Sequence, residues 1–117
     1  MNSPSSHNLN EVLEYKEVSK VIQSWLSDVL SKFEEVLSDG NIPMAIEEAN
    51  NSLFALYLRT PLSEQHILSH FIEQELFQDF MDWQSYKVAD LLDLCNFYST
   101  LQRLSKAFLE VENELLD

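Results

Sequence analysis

A single glycine, Gly40, in 117 residues is the tightest constraint on what this chain can fold into. Glycine is the residue that most readily takes positive φ or lets a backbone approach a ligand closely. With only one, the chain lacks the material for a glycine-rich phosphate cradle, a dinucleotide fingerprint or a series of tight hairpins. Three prolines, Pro4, Pro43 and Pro61, are the only other strong breakers. Long segments therefore run without punctuation, and they predict an all-α fold built from a few long helices.

Apolar spacing divides those segments. Ile22, Leu26, Val29, Phe33 and Val36 step by four, three, four and three, which predicts a first helix over 10–38. Val18 and Trp25 widen this stripe on one side, Leu30 and Leu37 on the other. Gly40 suits the left-handed residue that ends a helix, Asn41 suits the cap of the next, and Pro43 suits its first turn. Ile42, Ile46, Ala49, Leu53 and Leu56 carry a second helix to about residue 58, because Thr60 before Pro61 is biased away from helix. Thr60 or Ser63 then caps a third helix bearing Ile67, Leu68, Phe71, Ile72, Leu76, Phe80 and Trp83. Extending that stripe would bury Lys87 and Asp90, whereas Val88 starts a new one. A break is expected at 82–85, with Asp82 or Ser85 as the cap. Leu94, Phe97, Leu101, Leu104, Phe108, Val111 and Leu115 then alternate three and four without a miss. Such an a/d seam requires a partner helix at a shallow crossing angle.

Short connections between four such helices predict an antiparallel up-down bundle over 10–117, preceded by a flexible polar tail over 1–9. At ~1.5 Å per residue the first and last helices reach on the order of 43 to 48 Å, and the middle two nearer 25 to 33 Å. The long pair overhangs the short one. Leu9, Val12, Leu13, Phe108, Val111 and Leu115 lie in the overhang, where they must cover each other or meet a second chain, so a homodimer is one expectation.

Hydrophobic residues make up 45% of the chain, enough for a core without disulfide or metal support. Cys95 is the only cysteine, so no internal disulfide forms and a reducing, cytoplasmic setting is expected. The opening MNSPSSHN has neither a basic region nor an apolar run, so no secretory leader is expected there. The longest uncharged apolar-rich stretch, 49–58, is about half of what a bilayer demands. Twenty acidic against seven basic side chains give a formal charge of −13. That balance disfavours anionic membrane surfaces and direct nucleic-acid binding, which need Lys and Arg.

The antiparallel topology gathers much of the acid at one end. Glu34, Glu35, Asp39, Glu47, Glu48, Asp79, Asp82, Asp90 and Asp93 fall there, with only Lys32 and Lys87 as nearby bases. The other end mixes Lys16, Lys20, Arg59, Arg103 and Lys106 with acids. Glu47, Glu48, Asp90 and Asp93 sit where a helix dipole favours negative charge. Glu34, Glu35, Asp79 and Asp82 sit where it opposes them, by ~0.3–1 kcal/mol each. Acids placed against folding point to a docking surface for a basic partner. Phe77 and Met81 are displaced from the third-helix stripe and join these acids as candidate partner-binding residues.

Catalytic and metal motifs are weak by comparison. His66, His70 and Glu73 have the spacing of ligands on one helix face, but Ile67, Leu68 and Ser69 supply no general base between the histidines. Glu64 precedes His66 by two residues rather than the three of a di-iron bundle motif. Arg59 and His66 are spaced superficially like the pair of some helical-bundle ribonucleases, but Pro61 interrupts them. Cys95 lies between Leu91 and Tyr98 on the fourth-helix stripe, where a buried small hydrophobe is expected. No catalytic, cofactor-binding or metal-binding residue is assigned. The expected function is a small acidic cytosolic binding module, an adaptor, chaperone or inhibitor that docks a basic protein surface. The alternatives are a nucleic-acid-mimicking inhibitor of a DNA- or RNA-binding protein and, last, a metal-binding bundle enzyme.

Overall fold

A computed structural model describes residues 8–60 and 62–116, without the side chains of Leu62 and Ser63. The expected tail lies, through residue 7, outside the described residues. Asn8 and Leu9 belong to the helical part instead. Asn8 is the N-cap of α1 (Leu9–Ser38), its side chain accepting from the Glu11 N–H at 2.8 Å. The next elements are α2 (Ile42–Arg59), a single turn α3 (Leu62–Gln65), a 3-10 turn (His66–His70), α4 (Gln74–Asp82) and α5 (Leu91–Leu116). No strand occurs among the described residues. The fold is an all-α helical bundle whose four helices of more than two turns are α1, α2, α4 and α5.

The predicted stripes are the core. Ile22, Trp25, Leu26, Val29 and Phe33 of α1 are buried, as are Ala45, Ala49, Leu53 and Leu56 of α2. Leu94, Phe97, Leu101, Leu104, Phe108 and Val111 of α5 are buried with them. The ring of Tyr15 lies 6.3 Å from Phe108, and that of Phe33 lies 5.7 Å from Phe97. The start of α1 thus meets the end of α5, and the two run antiparallel. At roughly 1.5–3 kcal/mol for each fully buried large apolar side chain, this seam dominates the docking of α5. The exposed Arg103–Asp79 pair adds well under that. Of the overhang residues, Phe108 and Val111 are covered within the chain, Val12 and Leu115 are half-buried, and Leu9 and Leu13 remain exposed. The α1 helix sets the length of the molecule, which measures 52 × 25 × 21 Å.

The third helix differs from expectation. In place of one rod from about 62 to 82, the chain makes α3, the 3-10 turn, a bend at Phe71–Ile72, and only then α4. Tertiary packing overrides the helical periodicity here. The Phe71 ring sits 4.3 Å from that of Tyr15, and Leu68 is fully buried. The buried Gln65 amide donates to the Thr60 carbonyl at 2.6 Å and ties the turn to the end of α2. Two expected caps also move. Thr60 is the C-cap of α2, with its N–H bonded to the Leu56 carbonyl and its hydroxyl without a hydrogen-bond partner among the described residues, while the Ser63 side chain lies outside them. The α5 helix is capped neither by Asp82 nor by Ser85 but by Asp90, whose carboxylate accepts from the Asp93 N–H at 2.9 Å.

Candidate interaction surface

The turn between α1 and α2 brings the first group of acids together. Gly40 has φ 71°, the left-handed value that favours glycine, and its N–H reaches back to the Leu37 carbonyl at 3.0 Å. Asn41 then caps α2 by accepting from the Met44 N–H at 3.1 Å, and Pro43 occupies the first turn without loss of a needed donor. The chain reverses within three residues. The Trp25 indole N–H donates to the Ser52 carbonyl at 2.8 Å and fixes α1 alongside α2. This hairpin carries Glu34, Glu35 and Asp39 at the close of α1 and Glu47 and Glu48 in the opening turns of α2, with Glu34 on the side of α1 that meets Ser105 and Phe108 of α5. Among the described residues none of these five carboxylates is in an ion pair, and all but the half-buried Glu48 are exposed.

The second group has internal duties. Asp90 and Asp93 close the start of α5 reciprocally, since the Asp93 carboxylate accepts from the Ala89 N–H at 3.0 Å. The Tyr86 hydroxyl donates to the Asp93 carbonyl at 2.9 Å. Burial first, then the negative charges of Asp93 and Asp90, raise that hydroxyl above its ordinary pKa. Asp79 and Asp82 line a hollow of about 380 Å³ between α4 and α5. There Arg103 donates to Asp79 at 3.2 Å and Gln78 donates to Asp82 at 3.0 Å. Arg103 was expected at the opposite end. The non-helical link 83–90 between α4 and α5 lets Asp79 lie against α5 at that point. The acidic rim is therefore divided, with five open carboxylates at the hairpin and four others engaged near α5.

Asn50, which carries no weight in the sequence reading, holds the two parts together. Its amide nitrogen donates to the Val88 carbonyl at 2.9 Å and its oxygen accepts from the Val88 N–H at 3.0 Å. The same nitrogen also lies 3.2 Å from the Ile46 carbonyl. One side chain thus completes both backbone groups of a buried residue in the non-helical link between α4 and α5. An asparagine inside a helix competes with the helical backbone, so its presence in the middle of α2 was the available signal.

The apolar candidates face inward. Phe77 is buried and set edge-on to the His66 ring at 5.9 Å, and Met81 is half-buried against the core. The apolar surface that solvent does meet lies elsewhere, including Met44, Phe54 and Leu58 of α2. Cys95 is exposed rather than buried, because the seam rotates Leu94 inward and the thiol outward. The expected helical face of His66, His70 and Glu73 does not form. Both histidines belong to the 3-10 turn, and Nδ1 of His70 lies 3.3 Å from Glu11. Among the described residues no group of three or more His, Cys, Asp or Glu side chains is arranged to hold a metal ion. No helix among them is long and apolar enough to cross a membrane. The chain matches no protein-family profile, no curated protein and no solved structure.

Proposed function

We propose that this chain is a protein-binding module that docks a basic partner surface. It would act as an adaptor, chaperone or inhibitor and not as an enzyme. The observation that carries this reading is the open acidic corner at the α1–α2 hairpin. Glu34 and Glu35 crowd the last turns of α1, where the helix dipole disfavours them, and no basic residue stands in that last turn. Folding does not need these charges there, while a cationic surface would. Their role is to steer encounter and fix orientation, with apolar contacts supplying most of the affinity. The single exposed thiol of Cys95 fits a reducing compartment, and a cytoplasmic location belongs to the same proposal.

Affinity capture at low and high salt, with the native chain and a Glu34→Gln/Glu35→Gln/Glu47→Gln/Glu48→Gln variant, tests the reading. Partners of high isoelectric point should be retained at low salt, released at high salt and lost by the variant. Capture that ignores both salt and substitution would refute it.

A further inference from the structure

The outward face of α2 is sparsely charged for a chain of −13. Met44, Glu47, Asn51, Phe54 and Leu58 recur at helical three-four spacing, and Glu47 is the only charge among them. Phe54 is 66% exposed, Leu58 72% and Met44 51%, so among the described residues this stripe has no covering partner. Nothing in the packing requires it, because α2 already buries Ala45, Ala49, Leu53 and Leu56 on its opposite face. A helix apolar on both faces has two surfaces to cover.

Carboxylates frame the stripe at both ends. Asp39, Glu47 and Glu48 stand at its Met44 end. At its Leu58 end, Glu14, Glu17 and Glu64 line a cavity of about 430 Å³ floored by Thr60 and Ile67. Along one edge, Asn50 holds Val88, and with it Asp90 two residues on. Lys32, Arg59 and Lys87 are the bases in this neighbourhood. A second copy of the chain would bring the same acidic frame against itself, so like-charge repulsion opposes self-pairing through this face. We propose that α2 seats a cationic amphipathic helix of another protein, with its apolar anchors on Phe54 and Leu58 and its Lys and Arg residues toward the flanking carboxylates. The proposal rests on the basic-partner reading and names the surface and the shape of that partner.

The test uses a fluorescent Leu/Lys peptide matching the 18 residues of α2 in length, with leucines at helical three-four spacing, and a scrambled peptide of identical composition. Anisotropy titration should give binding at low salt that is about tenfold tighter for the amphipathic peptide than for the scrambled one. The double variant Phe54→Asp/Leu58→Asp should weaken the amphipathic peptide by about tenfold or more, although it makes the protein more negative. Leu109→Asp, at another exposed position, should leave binding unchanged. Equal or tighter binding by the double variant would overturn the proposal while leaving the basic-partner reading standing. Failure of both peptides to bind at low salt would remove both. Photo-cross-linking of the peptide to the unaltered protein gives a readout free of substitution. Adducts on α2 support the assignment, and adducts confined to other helices overturn it. A dimer in sedimentation that the double variant dissociates would assign the face to a second copy and also overturn it.

Discussion

Replacing Asn50 by alanine should destabilise the protein far more than its half-buried position suggests. The substitution removes no large apolar group and even improves local helix propensity, by a few tenths of a kcal/mol. What it does is strip both partners from Val88, whose residue is 1% exposed, leaving a buried N–H and a buried carbonyl without hydrogen bonds. Each such orphan costs ~1–3 kcal/mol, and water entering the vacated volume recovers part of that. A net loss of about 2–4 kcal/mol follows, a large share of a typical stability of ~5–15 kcal/mol. Urea unfolding should show a lower midpoint with an unchanged slope, because the exposed surface on unfolding is the same. Hydrogen exchange at the Val88 amide should accelerate even under conditions where the rest of the core stays protected. Asn50→Asp separates the two bonds. A carboxylate still accepts from the Val88 N–H but faces the Val88 carbonyl with like partial charge, so this variant should also lose stability at neutral pH. If Asn50→Ala costs under about 0.5 kcal/mol, as an ordinary surface substitution does, the link is held by the Val88 side chain alone and the reasoning fails.

Gly40→Ala should cost ~1 kcal/mol in thermal or urea unfolding: the space around it is open, but an L side chain is strained at φ +71°. Gly40→Asn should recover much of that loss. Asp90→Ala removes the α5 cap and should cost ~0.5–2 kcal/mol, with fraying of the first turn visible by amide exchange. The Tyr57 hydroxyl is buried and has no hydrogen-bond partner among the described residues, and burial raises its pKa above the ordinary value, so Tyr57→Phe should be neutral or stabilising by up to ~1 kcal/mol. For a group raised on folding, stability is full below the unfolded pKa of ~10 and falls as pH climbs above it. Tyr57→Phe should therefore flatten the alkaline limb of the stability profile, and an unchanged limb would count against burial as the cause.

Helix identity was readable where one face repeats over several turns. Spacing, with Gly40, Asn41 and Thr60 as punctuation, located α1 and α2 to within a residue or two; for α5 it found the buried seam but set the start at 83–86, whereas the helix begins at Leu91. The segment 62–90 was less legible for a specific reason. Without glycine or proline the residues looked continuous, yet the break at Phe71 accompanies a ring packed on Tyr15, a contact across nearly half of the chain. Glycine and proline mark where a helix must stop, but their absence does not oblige a helix to continue. The candidate surface was partly legible in the same sense. The hairpin acids follow from Gly40 and Asn41, which are local signals. The engagement of Asp79 by Arg103 depends on the link 83–90 that joins α4 to α5, so the misplaced start of α5 carried over into the charge map. The paired hydrogen bonds from Asn50 to Val88 leave no periodic trace, and the one local signal, an asparagine inside α2, does not tell which distant backbone it holds.

The arrangement of α1 between its two neighbours also sets an order of assembly. Pairing α1 with α2 closes a turn of three residues and carries little entropic penalty. Pairing α1 with α5 joins residues separated by most of the chain, as Tyr15 with Phe108 and Phe33 with Phe97. On a ribosome the hairpin would therefore emerge with Phe33 and its neighbours uncovered, and it would wait for the last helix to be synthesised before its greasy side is sheltered. The interval between those events is the time at which this protein is most exposed to aggregation, and it lengthens with every pause in translation after residue 60.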